Sequence, residues 1–151
     1  MLHRSAVVFA ALLALPRPSV AQTTLDPFDT WERQAQHWMY QHRVEQNLDD
    51  QTHRMGIGSL DEGKSTSFLF TAQGPGSYRV LAVCDNDCTD IDLYLYGMDG
   101  SLLDSDVELD DFPWVDTEEL KTGASRQYRV EVGMPSCSAN PCRFALSVFA
   151  R

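Results

Sequence analysis

Apolar and polar residues alternate along most of the chain after residue 57, with the period of half-buried β-strands. The apolar runs are short and rich in β-branched and aromatic residues, and Gly, Pro, Asn and Asp separate them. They lie at residues 65–72, 78–84, 91–96, 102–109, 114–120, 127–134 and 143–149. Because no helical pattern comes between them, they predict an antiparallel β-sandwich of seven to eight strands.

The region before the strands has a helical period instead. It predicts one helix over residues 30–48, with Asp29 as its N-cap and Glu32 as the capping-box partner. One face of this helix should pack on the sandwich, because apolar side chains recur there at spacings of three, four and seven. These side chains are Trp31, Ala35, Trp38, Met39 and His42.

A second, weaker apolar stripe lies roughly opposite the first and consists of Tyr40, Val44 and Leu48. It could contact a partner chain or the loop that returns from the helix to the sandwich, and we favour the loop. If a partner covers it, the helix is an assembly or docking element.

Residues 1–21 have the features of a secretory signal peptide. A short basic start precedes ten apolar residues from Ala6 to Leu15, and a small-x-small cleavage site ends at Ala21. Such a run is too short to cross a ~30 Å hydrocarbon core as a helix, so we expect no membrane span after cleavage. The predicted organisation is a cleaved leader at 1–21, a helical segment at 22–57 and the sandwich at 58–151. The protein is expected to be periplasmic or secreted.

The four cysteines lie in two closely spaced pairs, Cys84 with Cys88 and Cys137 with Cys142. Thiols pair in an oxidising compartment, and of the three connectivities we favour this local pairing. Such short bridges should shape their loops more than they stabilise the fold. The alternative is a four-thiolate zinc site, which the spacing within the pairs and the distance between them disfavour.

Charge is acidic overall and unevenly distributed. The chain has 12 Lys plus Arg against 22 Asp plus Glu, a net charge of −10, which argues against nucleic-acid binding. Between residues 80 and 120, 13 of 41 residues are acidic and none is Lys or Arg. Asp85, Asp87, Asp90 and Asp92 crowd the first cysteine pair and the next strand. Carboxylates held by a closed loop suit calcium, and a solvated acidic loop is the alternative that we favour.

A second acidic set alternates with mostly apolar residues. It consists of Asp104, Asp106, Glu108 and Asp110, which would share one face of a strand. A polar outer face is the simplest interpretation. The alternatives are a guarded sheet edge and a contribution to a cation site, and we include Asp106 in the calcium hypothesis.

Several segments together resemble the bacterial pre-peptidase C-terminal domain. They are GSLDEGKSTSFLF at residues 58–70, GSYRVLAV at 76–83, DIDLYLY at 90–96 and YRVEV at 128–132, with Asp99-Gly100, Asp106 and Pro113 between them. The resemblance covers residues 58–149. It implies a jelly-roll-like sandwich that is non-catalytic, is usually appended to exported enzymes, and is sometimes associated with calcium or with polymeric substrates. No peptidase precedes it in this sequence.

The sequence contains no motif that specifies a reaction. Residues 58–65, GSLDEGKS, match the phosphate-binding-loop expression but lack the buried strand before it and the helix after it. Tyr94, Tyr96 and Trp114 lie near the acidic block and could bind a sugar, although strand tyrosines more often fill a core or a face. We therefore expect an exported, non-catalytic binding or accessory module for a protein or polysaccharide. A structural component that assembles through its helix is the alternative, and a small hydrolase is disfavoured.

Overall fold

A computed structural model describes residues 27–49 and 51–151, so the predicted signal peptide lies outside the described residues. One helix precedes eight strands. These are α1 (Pro27–Glu45), β1 (Gly56–Leu60), β2 (Lys64–Gln73), β3 (Tyr78–Cys84), β4 (Cys88–Gly97), β5 (Leu102–Asp106), β6 (Trp114–Asp116), β7 (Ser125–Cys137) and β8 (Cys142–Ala150). All seven predicted strands are present, and β5 and β6 end earlier than expected.

The strands form two four-stranded antiparallel sheets. Their orders are β1-β8-β3-β6, which we call the covered sheet, and β2-β7-β4-β5, which we call the open sheet. Sequential strands alternate between the sheets except for β4 and β5, which are neighbours in the open sheet, and the other pairs within each sheet join strands that are distant in the chain. This is the strand order of a jelly roll, so the predicted jelly-roll-like sandwich with one N-terminal helix is confirmed.

The main core lies between the sheets. Along β4, the side chains of Ile91, Leu93 and Leu95 are fully buried and alternate with residues that face outward. The same alternation runs along β7, where Tyr128 and Val130 point inward. The open sheet therefore has one apolar face, as its sequence pattern predicts.

The covered sheet is buried on both faces because α1 packs on its outer side. Leu81 and Val83 of β3 and Ala145 and Phe149 of β8 point away from the main core. They contact the predicted apolar face of the helix, which confirms that prediction. The helix residues in this second core are Trp31, Ala35 and Met39, with Trp38 packed against them.

Both ends of the helix differ from the prediction. It begins at Pro27, so Asp29 lies inside it instead of capping it, and proline suits a first turn because its φ is fixed and it has no N–H. After Glu45 the chain turns at Asn47, whose φ of 51° is left-handed. The N–H of Leu48 then donates to the carbonyl of Arg43 at 3.0 Å, which closes the helix end.

Because the helix ends at this turn, the prediction that Tyr40, Val44 and Leu48 form one apolar stripe is wrong for Leu48. Leu48 has left the helical path and is 6% exposed, packed in the second core. Tyr40 and Val44 stay on the helix and are 60% and 58% exposed. The predicted partner contact is thus reduced to two side chains, because the stripe was projected along a helix that ends earlier.

Strand β1 was not predicted, and it begins before residue 58. Glycine at 56 and 58 hides its alternation, and Gly58 is required by packing, because a Cβ there would lie 2.7 Å from Cζ of Phe144. The GSLDEGKS segment forms the end of β1, a turn and the start of β2. No helix follows it, so it lacks the geometry of a phosphate-binding loop.

Candidate functional site

Both disulfides lie at one end of the sandwich and join the two sheets there. The bonds are Cys84–Cys88 and Cys137–Cys142, as predicted. Each links a strand of the covered sheet to a strand of the open sheet, and Cys88 and Cys137 are register partners. The bridges are local in sequence, but each spans one crossing of the chain between the sheets, from β3 to β4 and from β7 to β8.

Asp85 and Asp87 lie in the loop closed by the first disulfide. One carboxylate oxygen of Asp85 accepts the backbone N–H of Arg143 at 3.1 Å, while its Oδ1 is buried without a hydrogen-bond partner. The Asp87 side chain is exposed, and its carbonyl accepts the N–H of Ser138 at 2.7 Å. This backbone bond ties the two disulfide loops together.

Asp90 and Asp92 lie farther along, in the bulged start of β4. Burial raises the pKa of Asp90, and the charges of Asp92 and Asp110 raise it further. Burial also raises the pKa of Asp92, whose carboxylate accepts the Tyr94 hydroxyl at 3.0 Å. Burial likewise raises the pKa of Tyr94 to about 12. These acids are held close together where their negative charges are costly.

The second acidic set faces the opposite way from the prediction. Asp104 and Asp106 are register partners of the buried Leu95 and Leu93, so their side chains lie on the core side of β5. Apolar neighbours of theirs face solvent instead. Glu108 and Asp110 lie beyond the end of β5, so the four acids do not share one strand face.

Asp104 and Asp106 point toward the core because strand β6 lies opposite them at the same edge of the sandwich. Strand β6 is the last strand of the covered sheet, and its outward N–H groups have no neighbouring strand. Asp106 Oδ2 accepts the N–H of Trp114 at 3.0 Å, and Asp104 Oδ2 accepts that of Asp116 at 2.8 Å. The two carboxylates therefore replace a missing strand partner for β6, which is a form of the guarded edge that was one of our alternatives.

The described residues contain no group of side chains that would form a calcium site as the sequence predicts it. In residues 27–49 and 51–151, no three His, Cys, Asp or Glu side chains are grouped so that they could hold a metal ion. Asp85 and Asp87 belong to the disulfide loop, Asp90 and Asp92 to β4, and Asp106 to the end of β5, where it accepts the N–H of Trp114. Calcium binding stays a prediction from the sequence.

The three predicted aromatic ligand residues do not lie together. Tyr94 and Tyr96 are on the outer face of the open sheet, where the Arg129 guanidinium lies 3.9 Å from the ring centroid of Tyr96. Trp114 is on the covered sheet, paired with Leu81 and 5.3 Å below the Arg79 guanidinium. A single sugar platform cannot include all three, and sugar binding by the two tyrosines stays a prediction.

Sequence reasoning missed an acidic segment with exposed apolar side chains, which runs from the end of β4 through β5 to the start of β6. Of the nine large hydrophobic side chains that are exposed among the described residues, six lie between residues 98 and 114. They are Met98, Leu102, Leu103, Val107, Leu109 and Trp114. The same segment carries six acids and neither Lys nor Arg. We call this segment, residues 98–114, the acidic edge; the alternation of Leu and Val with Asp and Glu in the sequence was its signal.

Comparison with protein-family models and with curated proteins finds no match to this chain. The resemblance to the pre-peptidase C-terminal domain therefore stays a prediction. Within the described part of the chain, no helix has the length and apolar character needed to cross a bilayer.

Proposed function

We propose that this protein is an exported, non-catalytic binding module whose acidic edge binds a protein segment rich in basic and apolar residues. The observation that carries the proposal is the concentration of exposed hydrophobic side chains in one acidic segment. Leu109 is 83% exposed, and Leu102, Val107 and Met98 are each more than half exposed. Contiguous exposed apolar surface marks interaction sites, and six exposed hydrophobic side chains within 17 residues provide the material for such a surface.

The chemistry of the edge defines the partner. Exposed leucine and valine side chains gain free energy when an apolar partner surface covers them. The surrounding carboxylates favour Lys and Arg on that partner and repel an acidic one. Strand β5 is also the last strand of the open sheet, so an extended partner segment can pair with its free backbone groups.

Export is supported by the two disulfides together with the predicted leader. Both bonds occur in a chain in which every cysteine of the described residues is paired. Structural disulfides of this kind persist in oxidising compartments. Neither the binding surface nor the argument for export depends on calcium.

The test uses synthetic peptides of alternating Lys and Val as probes, with alternating Glu and Val peptides for comparison. We expect the basic peptides alone to bind, and calorimetry should show weaker binding as salt rises. Replacing Leu102 and Leu109 together by Ser should weaken binding by about tenfold or more, because buried apolar anchors dominate such interfaces. Both side chains are exposed, so the fold should be retained.

The matched control replaces Tyr40 and Val44 by Ser, which removes exposed apolar side chains from the helix instead. This variant should bind the basic peptides as the unmodified protein does. Equal loss in both variants, or binding of acidic peptides as well as basic ones, would contradict the proposal. A change of mass in solution in the helix variant alone would favour the alternative of assembly through α1.

A further inference from the structure

Each of the two sheets has two edge strands, and three of these four strands are short. Strands β1, β5 and β6 have five, five and three residues. The β6 edge is also satisfied by Asp104 and Asp106, and β5 belongs to the acidic edge. Strand β2 is the exception. It has ten residues in unbroken register with β7, its only hydrogen-bonded neighbour among the described residues.

Strand β2 also lacks the residues that usually protect an exposed edge. From Ser65 to Gln73 it contains neither proline nor a charged side chain, and its pairing with β7 has no bulge. Natural sheets avoid such edges, because a long, regular and uncharged strand pairs readily with another chain. Of the four edges, β2 is therefore the one most suited to pairing with a further strand.

The pairing with β7 determines which backbone groups of β2 point to the open edge. The N–H of Gly74, directly after β2, donates to the carbonyl of Ala124 at 2.8 Å and continues the register. Bonded residues alternate along an antiparallel pair, so the odd-numbered residues of β2 direct their N–H and C=O groups away from β7. At Gln73 the Tyr78 hydroxyl contacts both groups, at 3.2 and 2.6 Å. The other odd-numbered residues are Ser65, Ser67, Leu69 and Thr71.

The residue types along β2 are nearly the same in both directions from Leu69. Phenylalanine lies on each side of it, at 68 and 70, and a hydroxyl residue follows on each side, at 67 and 71. If β2 pairs antiparallel with β2 of a second copy about this centre, Leu69 faces Leu69 and Ser67 faces Thr71. Phe68 then faces Phe70, and aromatic cross-strand pairs stabilise a sheet. This centre also joins odd-numbered residues to odd-numbered residues, so the free N–H and C=O groups of both copies meet.

We infer that two copies of this protein associate through antiparallel pairing of their β2 strands, centred on Leu69, which joins the two open sheets into one. The second copy is the partner that the strand itself fits, because the pairing is self-complementary and sets no charge against a like charge. Two acidic edges repel each other, so β5 is unsuited to the same contact. Strand β5 lies at the far edge of the open sheet, so both acidic edges stay free in the dimer.

Sedimentation equilibrium of the purified protein from about 1 μM to about 1 mM tests the association. We expect the mass to rise from that of one chain to that of two, and no further. Amide hydrogen exchange then tests the strand. The N–H groups of Ser67, Leu69 and Thr71 should exchange slowly in the dimer and fast in the monomer. Those of Phe68 and Phe70, which face β7, should exchange slowly in both.

The main variants are Leu69→Lys and Leu69→Glu. This side chain is 59% exposed, so both variants should fold. Each variant alone sets like charges against each other at the centre of the pairing, and we expect its association to weaken about tenfold or more. An equimolar mixture of the two should associate again, because opposite charges then face each other. The matched control is Val44→Lys on α1, where the side chain is 58% exposed, and it should leave the mass unchanged.

Five results would overturn the inference. They are the mass of one chain at every concentration, a dimer that Leu69→Lys leaves intact, a mixture of the two charge variants that stays monomeric, a dimer that Val44→Lys dissociates equally, and fast exchange of the odd-numbered β2 amides in the dimer. The last two would assign the contact to another surface. Because these variants lie outside the acidic edge, failure here leaves the peptide-binding proposal standing, and the reverse also holds.

Discussion

The outer faces of the two sheets differ, although both sheets have four strands and share one core. The outer face of the covered sheet carries Leu81 and Val83 beneath α1. The outer face of the open sheet carries side chains such as Leu69, Tyr94 and Arg129, with no helix upon them among the described residues.

The sequence patterns of the strands in the two sheets reflect this difference in covering. Strands β3 and β8 are apolar on both faces and read as nearly continuous apolar runs, whereas β4 and β7 alternate. A strand with two apolar faces needs two covering layers. The helix supplies the second layer for one sheet only, so surface remains available for binding on the other sheet and its β5 edge.

The largest effect is expected when a leucine is truncated on the covered face. Leu81 is fully buried, and Leu81→Ala should lower the free energy of unfolding by about 3 kcal/mol, because it leaves a cavity under the helix. Leu69→Ala on the open face is the matched control: this side chain is 59% exposed, and its loss should cost under about 0.5 kcal/mol. Urea unfolding measures both. Equal losses would show that a partner layer stabilises both faces.

A smaller effect is expected for the arginines of the two sheets. Arg79 of the covered sheet donates to both carboxylate oxygens of Asp116, at 2.7 and 2.5 Å, and to Gln46 just beyond the helix at 2.7 Å. Arg79→Met should cost about 2 kcal/mol, because it removes charge-assisted bonds that are mostly shielded from water.

Arg129 is the matched arginine of the open sheet. It pairs with Glu131 at 2.9 Å, but its side chain is 34% exposed against 12% for Arg79. Arg129→Met should therefore cost under about 1 kcal/mol. Thermal unfolding of the two variants side by side checks the order, and a larger loss for Arg129 would contradict the assignment of the better-shielded network to the covered sheet.

The smallest effect on stability is expected at Asp92, which is the exception on the outer face of the open sheet because it is buried. Asp92 points outward but is only 9% exposed, because it lies beside Gly133 and beneath Tyr94. Its raised pKa means that the folded state binds more protons than the unfolded state in mildly acidic solution. Stability from this group is therefore present at low pH and falls as pH rises through the folded-state pKa.

Asp92→Asn should remove that dependence and raise the melting temperature slightly at neutral pH, while Tyr94 keeps an acceptor oxygen. The matched control is Glu119→Gln, which removes an exposed carboxylate instead. Melting temperatures from pH 4 to 8 would test this, and a variant that is less stable than the unmodified protein at neutral pH would refute it.

Local pattern was sufficient for most elements of the fold. Alternation located seven strands, the three-and-four spacing located the helix and its buried face, and the spacing of the cysteines indicated both disulfides. These features depend on neighbours within a few residues, which the sequence displays directly. Strand β1 was not predicted because its two glycines interrupt the alternation, and the requirement for Gly58 comes from Phe144 on β8, which is distant in the chain.

The sites depended on the tertiary structure, because periodicity tells which residues share a face but not what that face meets. Asp104 and Asp106 point inward only because the unpaired edge of β6 lies opposite them. Trp114 does not lie with Tyr94 and Tyr96, because β6 belongs to the covered sheet and β4 to the open sheet. Trp31 and Asp85 line one cleft although most of α1 and the three strands β1, β2 and β3 separate them in the chain. Composition and spacing thus determined the class of fold, and long-range packing decided which polar groups could act together.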